Sequence, residues 1–381
     1  MNKPPLQPRT IQRVVEGALG KALHAKQRES IGHCVIGALH TDRAGVAAIG
    51  RAAARRRGKV DKHGIKQFDR YLSNEKVRPN VALPRLARRF IAARKEVVVM
   101  IDWTEFAPDG HSTIVISMVT RHGRATPLVW KTVRTSKLKR RRARYEDEAL
   151  ETLAQAVAKG TRVTVLADRG FGDQKRYAHV LSLGFHYIIR FRQGILLTNE
   201  SGERGPARQW LHPSGRARML REVAVTADCY IPPAVVLVHD KRMKESWCLA
   251  TSRDDLPAAE IVRLYGRRFS IEETFRDQKD RRFGLGLYYT HLGDPGRRDR
   301  MLLVLVLACL IATLLGAAGE RIGLDRLLRA NTVKDHRTHS LFRQGCEYLR
   351  GVIDRVLGPL RAAFFDLLRG YRRNAETYAE I

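Results

Sequence analysis

An uncharged apolar segment, residues 301–319, constrains the fold of this 381-residue chain more than any other feature. It is almost long enough to span a lipid bilayer as a helix. Arginines flank it on both sides, at positions 297, 298 and 300 before it and 321 and 326 after it. Such a segment must be buried on all sides, either in lipid or at the centre of a large domain.

Two earlier runs of β-branched and apolar residues each end in an aspartate. Residues 97–101 lead into Asp102, and residues 161–167 lead into Asp168, which is followed by Arg-Gly-Phe. Uninterrupted runs of this kind indicate buried strands. A carboxylate at the end of a buried strand is costly unless it is paired or binds a metal, so we interpret both aspartates as metal ligands. A cap at a turn would explain either aspartate alone.

A third segment carries four polar side chains at helical spacing. Tyr265, Arg268, Glu272 and Lys279 lie at relative positions 0, 3, 7 and 14. At about 100° per residue, they fall within roughly 60° of one another around a helix. A carboxylate flanked by cations suits a metal ion on a polyanion, although an ordinary solvated helix face is the alternative. Glu273 points about 100° away from Glu272, so Glu272 is the better candidate ligand.

The order of elements predicts the fold class. Turn signals separate three strands between residues 97 and 133, and the pattern then predicts a helix, a strand, a helix and a strand up to residue 191. This is the order of the ribonuclease H-like fold, in which the ends of the first and fourth strands are neighbours. The topology would therefore bring Asp102 beside Asp168.

The order Asp, then Asp-Arg-Gly-Phe, then Tyr-x2-Arg-x3-Glu-x6-Lys resembles the DDE transposases of bacterial insertion sequences that carry the Tyr-Arg-Glu-Lys signature. The resemblance extends over about residues 97–315. It implies that Asp102, Asp168 and Glu272 are catalytic and bind two divalent ions, Mg²⁺ or Mn²⁺. Three acidic residues suffice for Mg²⁺, which keeps water and substrate oxygens as its other ligands.

The same resemblance implies that Tyr265, Arg268 and Lys279 contact phosphates at the end of the transposable element. Some related transposases stack an aromatic residue of a β-rich insertion on a flipped base. Trp247 is the candidate for that role here, with an ordinary packing tryptophan as the alternative. In this family an apolar helix follows the signature helix, so we expect residues 301–319 to form a buried helix and not a membrane span.

The composition favours the same partner. The chain has 70 Lys+Arg against 39 Asp+Glu, a formal net charge of +31. This excess implies a polyanion, most simply double-stranded DNA, unless it reflects a generally arginine-rich proteome. Basic clusters recur along the chain, including residues 51–59, 85–89 and 137–144. Five widely spaced cysteines without a metal-binding pattern suit a reduced, cytoplasmic protein.

The sequence thus predicts an α/β protein with four parts. These are a helical DNA-end-binding domain at 1–95, an RNase H-like mixed-sheet catalytic core at 96–192 and 254–330, a β-rich insertion at 193–253, and a helical C-terminal region at 331–381. The C-terminal region is a candidate for dimerisation.

The predicted function is cut-and-paste DNA transposition in the bacterial cytoplasm, in association with the nucleoid. The protein would bind the ends of an insertion sequence as a homodimer, cleave them and join the 3′ ends to target DNA. Two alternatives remain at this point, a catalytically silent DNA-binding relic and an RNase H-like nuclease without strand transfer.

Overall fold

The computed structural model describes residues 5–41, 43–226, 229–280, 285–329, 332, 337–351 and 354–373. The remaining residues of the four predicted parts lie outside this description. They include residue 330, where the predicted catalytic core ends, and several positions of the predicted C-terminal region.

Helices form the N-terminal part of the chain. They are α1 (Pro8–Leu19), α2 (Ala25–Leu39), α3 (Val46–Arg55), α4 (Asp61–Ser73) and α5 (Pro79–Ile91). Each buries an apolar stripe and exposes polar and basic residues, as expected for helices on the surface of a larger core. The prediction of a helical N-terminal region is confirmed for the described residues.

The part of the chain predicted to be the catalytic core follows the predicted order of strands and helices. It contains β1 (Glu96–Phe106), β2 (His111–Met118), β3 (Thr126–Arg134), α6 (Arg142–Ala154), β4 (Arg162–Ala167), α7 (Gln174–Ser182) and β5 (His186–Phe191). The first three strands form an antiparallel meander, and β1, β4 and β5 are parallel neighbours. The predicted RNase H-like, mixed-sheet α/β fold is confirmed.

The β-rich insertion extends the same sheet. Its strands are β6 (Leu196–Thr198), β7 (Arg204–Pro206), β8 (Arg218–Leu220), β9 (Ala224–Val225), β10 (Ala234–Val238) and β11 (Trp247–Thr251). Strand β11 pairs antiparallel with β5, which gives an eight-stranded sheet in the order β3-β2-β1-β4-β5-β11-β10-β8. Strands β7, β6 and β9 form a separate small sheet. The insertion therefore covers the edge that β5 would otherwise expose.

Five more helices complete the described fold. They are α8 (Ala258–Gly266), α9 (Ser270–Lys279), α10 (Pro295–Arg321), α11 (Leu341–Arg350) and α12 (Asp354–Arg373). Both faces of the main sheet are covered. Met100 and Leu166 on one face pack against α8 and α9, whereas Val99 and Val165 on the other face belong to the large core that contains α10.

Helix α10 contains the apolar segment and lies at the centre of the protein. It contacts α2 and α4 from the N-terminal part, β3 of the sheet, and both α11 and α12. Among the described helices it alone has the length and composition to span a bilayer, but 94% of its most apolar window is buried within the protein. The expectation of a buried helix is confirmed.

Glycines bring α11 against α10 with almost no gap. A Cβ at Gly345 would overlap the carbonyl oxygen of Ala312, and one at Gly316 would overlap the carbonyl oxygen of Leu341. The two helix backbones therefore touch where these glycines lie, and any side chain there would force the helices apart.

We predict that Gly345→Ala lowers the free energy of unfolding by about 1–3 kcal/mol, because the added methyl group overpacks the α10–α11 contact. Gly17→Ala is the matched control. It lies in α1 with no atom within 4 Å of an added Cβ, so alanine should leave stability unchanged or raise it by up to about 1 kcal/mol. The measurement is the urea midpoint of each variant, and equal midpoints would contradict the close α10–α11 contact.

Candidate active site beside strands β1 and β4

The pairing of β1 with β4 brings two aspartates to the same place. In the parallel register Met100 lies opposite Leu166, and Asp102 and Asp168 each lie two residues further along the chain. Asp168 directly follows the end of β4, whereas β1 continues past Asp102 to Phe106, so the expectation that the first strand ends at Asp102 is wrong. Neighbouring strands are about 4.8 Å apart, and residues two apart share a face. Both carboxylates therefore lie on the face covered by α8 and α9.

The segment from Tyr265 to Lys279 is not one continuous α-helix. Helix α8 ends at Gly266, a 3₁₀ turn covers Arg267–Phe269, and α9 begins at Ser270. Glycine has a low helix propensity, which accounts for a break at this position. The single helical face expected from the sequence is thus divided among α8, the turn and α9, although its central residues still converge on the aspartates.

Arg268 in the turn joins two of the predicted metal ligands. Its Nη1 lies 3.3 Å from Asp102 Oδ2, and its Nη2 lies 3.0 Å from Glu272 Oε1. Arg268 is only 7% exposed. The guanidinium group therefore lies between the carboxylates of β1 and α9.

Burial raises the pKa of Asp102 to about 6, the charge of Arg268 opposes this increase, and the nearby Asp168 adds to it. The Trp103 backbone N–H donates a 2.8 Å hydrogen bond to Asp102 Oδ1. A carboxylate with a raised pKa beside other carboxylates marks a position where a positive charge would be strongly bound.

Asp168 also caps the turn that follows β4. Its Oδ1 accepts a 2.8 Å hydrogen bond from the Gly170 backbone N–H. The turn cap considered from the sequence is therefore present. It fixes the Asp168 side chain, whose negative charge contributes to the raised pKa of Asp102.

Glu272 and Glu273 point in different directions. Glu272 pairs with Arg268, whereas Glu273 forms an ion pair with Arg276 and lies 3.7 Å from Arg124. This arrangement supports Glu272 as the third carboxylate of the site. Its side chain is 53% exposed, so it lies at the open side of the site.

The donor chemistry suits a hard divalent cation, since Mg²⁺ and Mn²⁺ prefer carboxylate oxygens and water. Within the described residues, however, no three His, Cys, Asp or Glu side chains are grouped closely enough to hold a metal ion. The guanidinium group of Arg268 lies between Glu272 and Asp102 and contacts both carboxylates.

Comparison with known sequences identifies the family. The family described as Transposase DDE domain matches residues 94–307, which is more than half of the chain. The protein belongs to this transposase family. No curated protein matches the chain. Membership implies a DNA substrate and an enzyme family that generally uses divalent metals.

Lys279 lies at the end of this transposase's α9, beyond the carboxylates. Its Nζ donates a 2.6 Å hydrogen bond to the Glu105 carbonyl oxygen and lies 4.9 Å from the centre of the Phe106 ring. Burial lowers the pKa of Lys279 to about 8, an effect that the charge of Glu105 opposes. The lysine is therefore separate from the cluster around Arg268.

An aromatic cluster adjoins Arg268 on the other side. Trp247 packs edge-on against Tyr265, with ring centres 5.0 Å apart, and its ring centre lies 6.0 Å from that of Phe269. Tyr265 is 1% exposed, whereas Phe269 is 43% exposed. The sequence interpretation missed Phe269. Its position directly after Arg268, beside the signature residues, was the available signal.

The basic segment 137–144 begins at the same edge of the sheet. Arg134 pairs with His111, which pairs with Phe106, so β3 ends where β1 does. All six cations of the segment are exposed. Arg142 lies 5.2 Å from the centre of the Trp103 ring, next to Asp102. An exposed basic segment at this edge suits the phosphate backbone of the transposase's DNA substrate.

The cap and the charge of Asp168 can be separated by two substitutions. We predict that Asp168→Ala lowers the free energy of unfolding by about 1 kcal/mol more than Asp168→Asn does, because asparagine can still accept the Gly170 hydrogen bond. Chemical denaturation of both variants measures the difference. Equal stabilities would show that the hydrogen bond to Gly170 contributes nothing.

Proposed function

We propose that this transposase cleaves DNA at the ends of a bacterial insertion sequence and joins the 3′ ends to target DNA by a cut-and-paste route. The observation that carries the proposal is that Arg268 bridges Asp102 on β1 and Glu272 on α9, while Asp168 at the end of β4 is near enough to contribute to the raised pKa of Asp102. Three acidic residues around one cation match the needs of phosphodiester displacement.

Asp102, Asp168 and Glu272 would hold two Mg²⁺ or Mn²⁺ ions. When bound, such ions would activate the attacking oxygen and stabilise the negative charge that develops on the leaving oxygen. The protein's own contribution is positional. Strand pairing fixes the two aspartates, and the turn before α9 sets the position of Glu272 relative to them.

The cations around the site would hold the phosphates of the element's end. Arg268 can bind a phosphate through two N–H groups, and Lys279 can bind a second phosphate as a point charge. Tyr265 is buried beneath Arg268, so its contribution would be to position that side chain. Trp247 and the exposed Phe269 offer aromatic surface on which a displaced base can stack.

The remaining regions have roles consistent with this scheme. Residues 1–95 would bind the DNA end through their exposed basic helix faces, and residues 331–381 would contribute to a homodimer in the complex that joins two ends. The working location is the bacterial cytoplasm, on the nucleoid. Joining of cleaved ends to a second duplex distinguishes this proposal from a nuclease, and cleavage itself distinguishes it from a silent DNA-binding relic.

We predict that Glu272→Gln reduces Mg²⁺-dependent cleavage of an end duplex to below about one thousandth of the wild-type rate, because one of three charged ligands is lost. Binding of the duplex in EDTA should be retained. Glu273→Gln is the matched control, since it removes the same charge one residue away, and it should cleave at a near wild-type rate. Loss of cleavage in both variants, or in neither, would refute the assignment of Glu272.

We predict that DNA binding weakens as the pH rises through about 8. The depressed pKa makes Lys279 neutral above that value in the free protein, so its contact with phosphate is available below pH 8 and is lost above it. Lys279→Arg should remove this pH dependence and keep the affinity, because arginine stays charged. Fluorescence anisotropy between pH 7 and 9 provides the measurement.

Lys279→Met should weaken DNA binding at every pH in that range. It should also reduce the magnitude of the slope of log affinity against log salt concentration by about the amount that one phosphate contact contributes. If wild type and Lys279→Met showed the same salt slope and the same pH profile, Lys279 would not contact DNA.

A further inference from the structure

A protein cation lies at the position where the proposed function needs a metal. The guanidinium group of Arg268 is within 3.3 Å of Asp102 and 3.0 Å of Glu272, and it also interacts electrostatically with Asp168. All three proposed ligands are thus partly neutralised by one side chain. A divalent ion that used the same oxygens would meet this positive charge at contact distance.

Arg268 is held firmly as a cation. A guanidinium group is not deprotonated in proteins, so Arg268 stays positively charged beside Asp102 and Glu272. The group cannot leave the site by losing its proton. It can make way for a metal only by moving.

The same side chain is well placed to move onto a phosphate. A guanidinium group has five N–H donors. Arg268 directs one at Asp102 and one at Glu272, and its buried Nε has no hydrogen-bond partner among the described residues. Its Cζ lies 5.1 Å from the centre of the exposed Phe269 ring, at the rim of the site. A phosphate at this rim could accept two parallel hydrogen bonds from Arg268.

We propose that Arg268 competes with divalent metal ions for Asp102 and Glu272, and that DNA phosphate binding draws Arg268 off these carboxylates so that metal can bind. The inference rests on the proposed metal-dependent function and adds a coupling to it. In the absence of DNA the site is closed by an internal ion pair. Because linkage is reciprocal, metal should also strengthen binding of DNA.

Metal binding to the DNA-free protein tests the competition directly. We would titrate the full chain with Mn²⁺ and follow the free-ion signal by electron paramagnetic resonance. Arg268→Gln should bind Mn²⁺ at least about ten-fold more tightly than wild type, because no cation then occupies the carboxylates. Arg268→Lys should give an intermediate affinity, since one ammonium group cannot bridge both carboxylates as the planar guanidinium does.

Arg276→Gln is the matched control for charge. Arg276 is exposed on α9, lies two turns from Arg268 and pairs with Glu273, so its loss removes one positive charge without opening the site. It should change Mn²⁺ affinity by less than about two-fold. If Arg268→Gln and Arg276→Gln gained the same Mn²⁺ affinity, the effect would come from the change in net charge alone, and the proposal would be overturned. Equal Mn²⁺ affinity of Arg268→Gln and wild type would also overturn it.

The second measurement adds a random-sequence duplex oligonucleotide as the phosphate probe. Wild type should gain Mn²⁺ affinity when the duplex binds, and Arg268→Gln should gain several-fold less because it has no competing cation to release. An equal gain in both proteins would overturn the release step.

Asp102→Asn separates this inference from the proposed function. If Asp102→Asn in the Arg268→Gln background abolishes Mn²⁺ binding, the carboxylates form a metal site, and the comparison of Arg268→Gln with wild type then decides the competition alone. If wild type with DNA binds no Mn²⁺ and Asp102→Asn changes nothing, the metal centre itself is refuted. Thermal melting of each variant checks that it is folded.

Discussion

The need to bury one apolar helix organises this transposase. Helix α10 has no charged residue over its central turns and is contacted by the N-terminal helices, the catalytic sheet and both C-terminal helices. At its N-terminal end, arginines tie it to its surroundings. Arg300 donates to the Leu72 carbonyl oxygen, and Arg298 is fully buried with Asp109. The described parts of the N-terminal helices, the sheet and the C-terminal helices share this one large core.

The second organising constraint is the parallel register of β1 and β4. Register fixes which residues of two strands are level, and here it sets Asp102 and Asp168 side by side on the face that α8 and α9 cover. That face places Arg268 and Glu272 over the aspartates. The geometry of the candidate site is therefore a consequence of packing, since Met100 and Leu166 hold the helices against the same face that carries the carboxylates.

Most of this could be predicted from the sequence, because its signals are local. The apolar runs before Asp102 and Asp168 predicted buried strands, and their order predicted the topology that joins them. The break after Gly266 could not be predicted, since glycine occurs within helices as well as at their ends. The continuation of the sheet through β11 depends on long-range pairing. The position of Arg268 between two carboxylates depends on side-chain geometry, which the spacing of residues in the sequence does not specify.

The central position of α10 also affects how the chain folds during synthesis. The chain emerges from the ribosome with its N-terminus first, so α2 and α4 are made more than two hundred residues before the helix that they cover. Until α10 appears, α2 and α4 can pack against α1 and α3 but lack their native contact with α10. The basic N-terminal region therefore matures together with the catalytic sheet. A nascent or prematurely terminated polypeptide carries that region's positive charge without its completed core, which leaves it a substrate for chaperones and proteases.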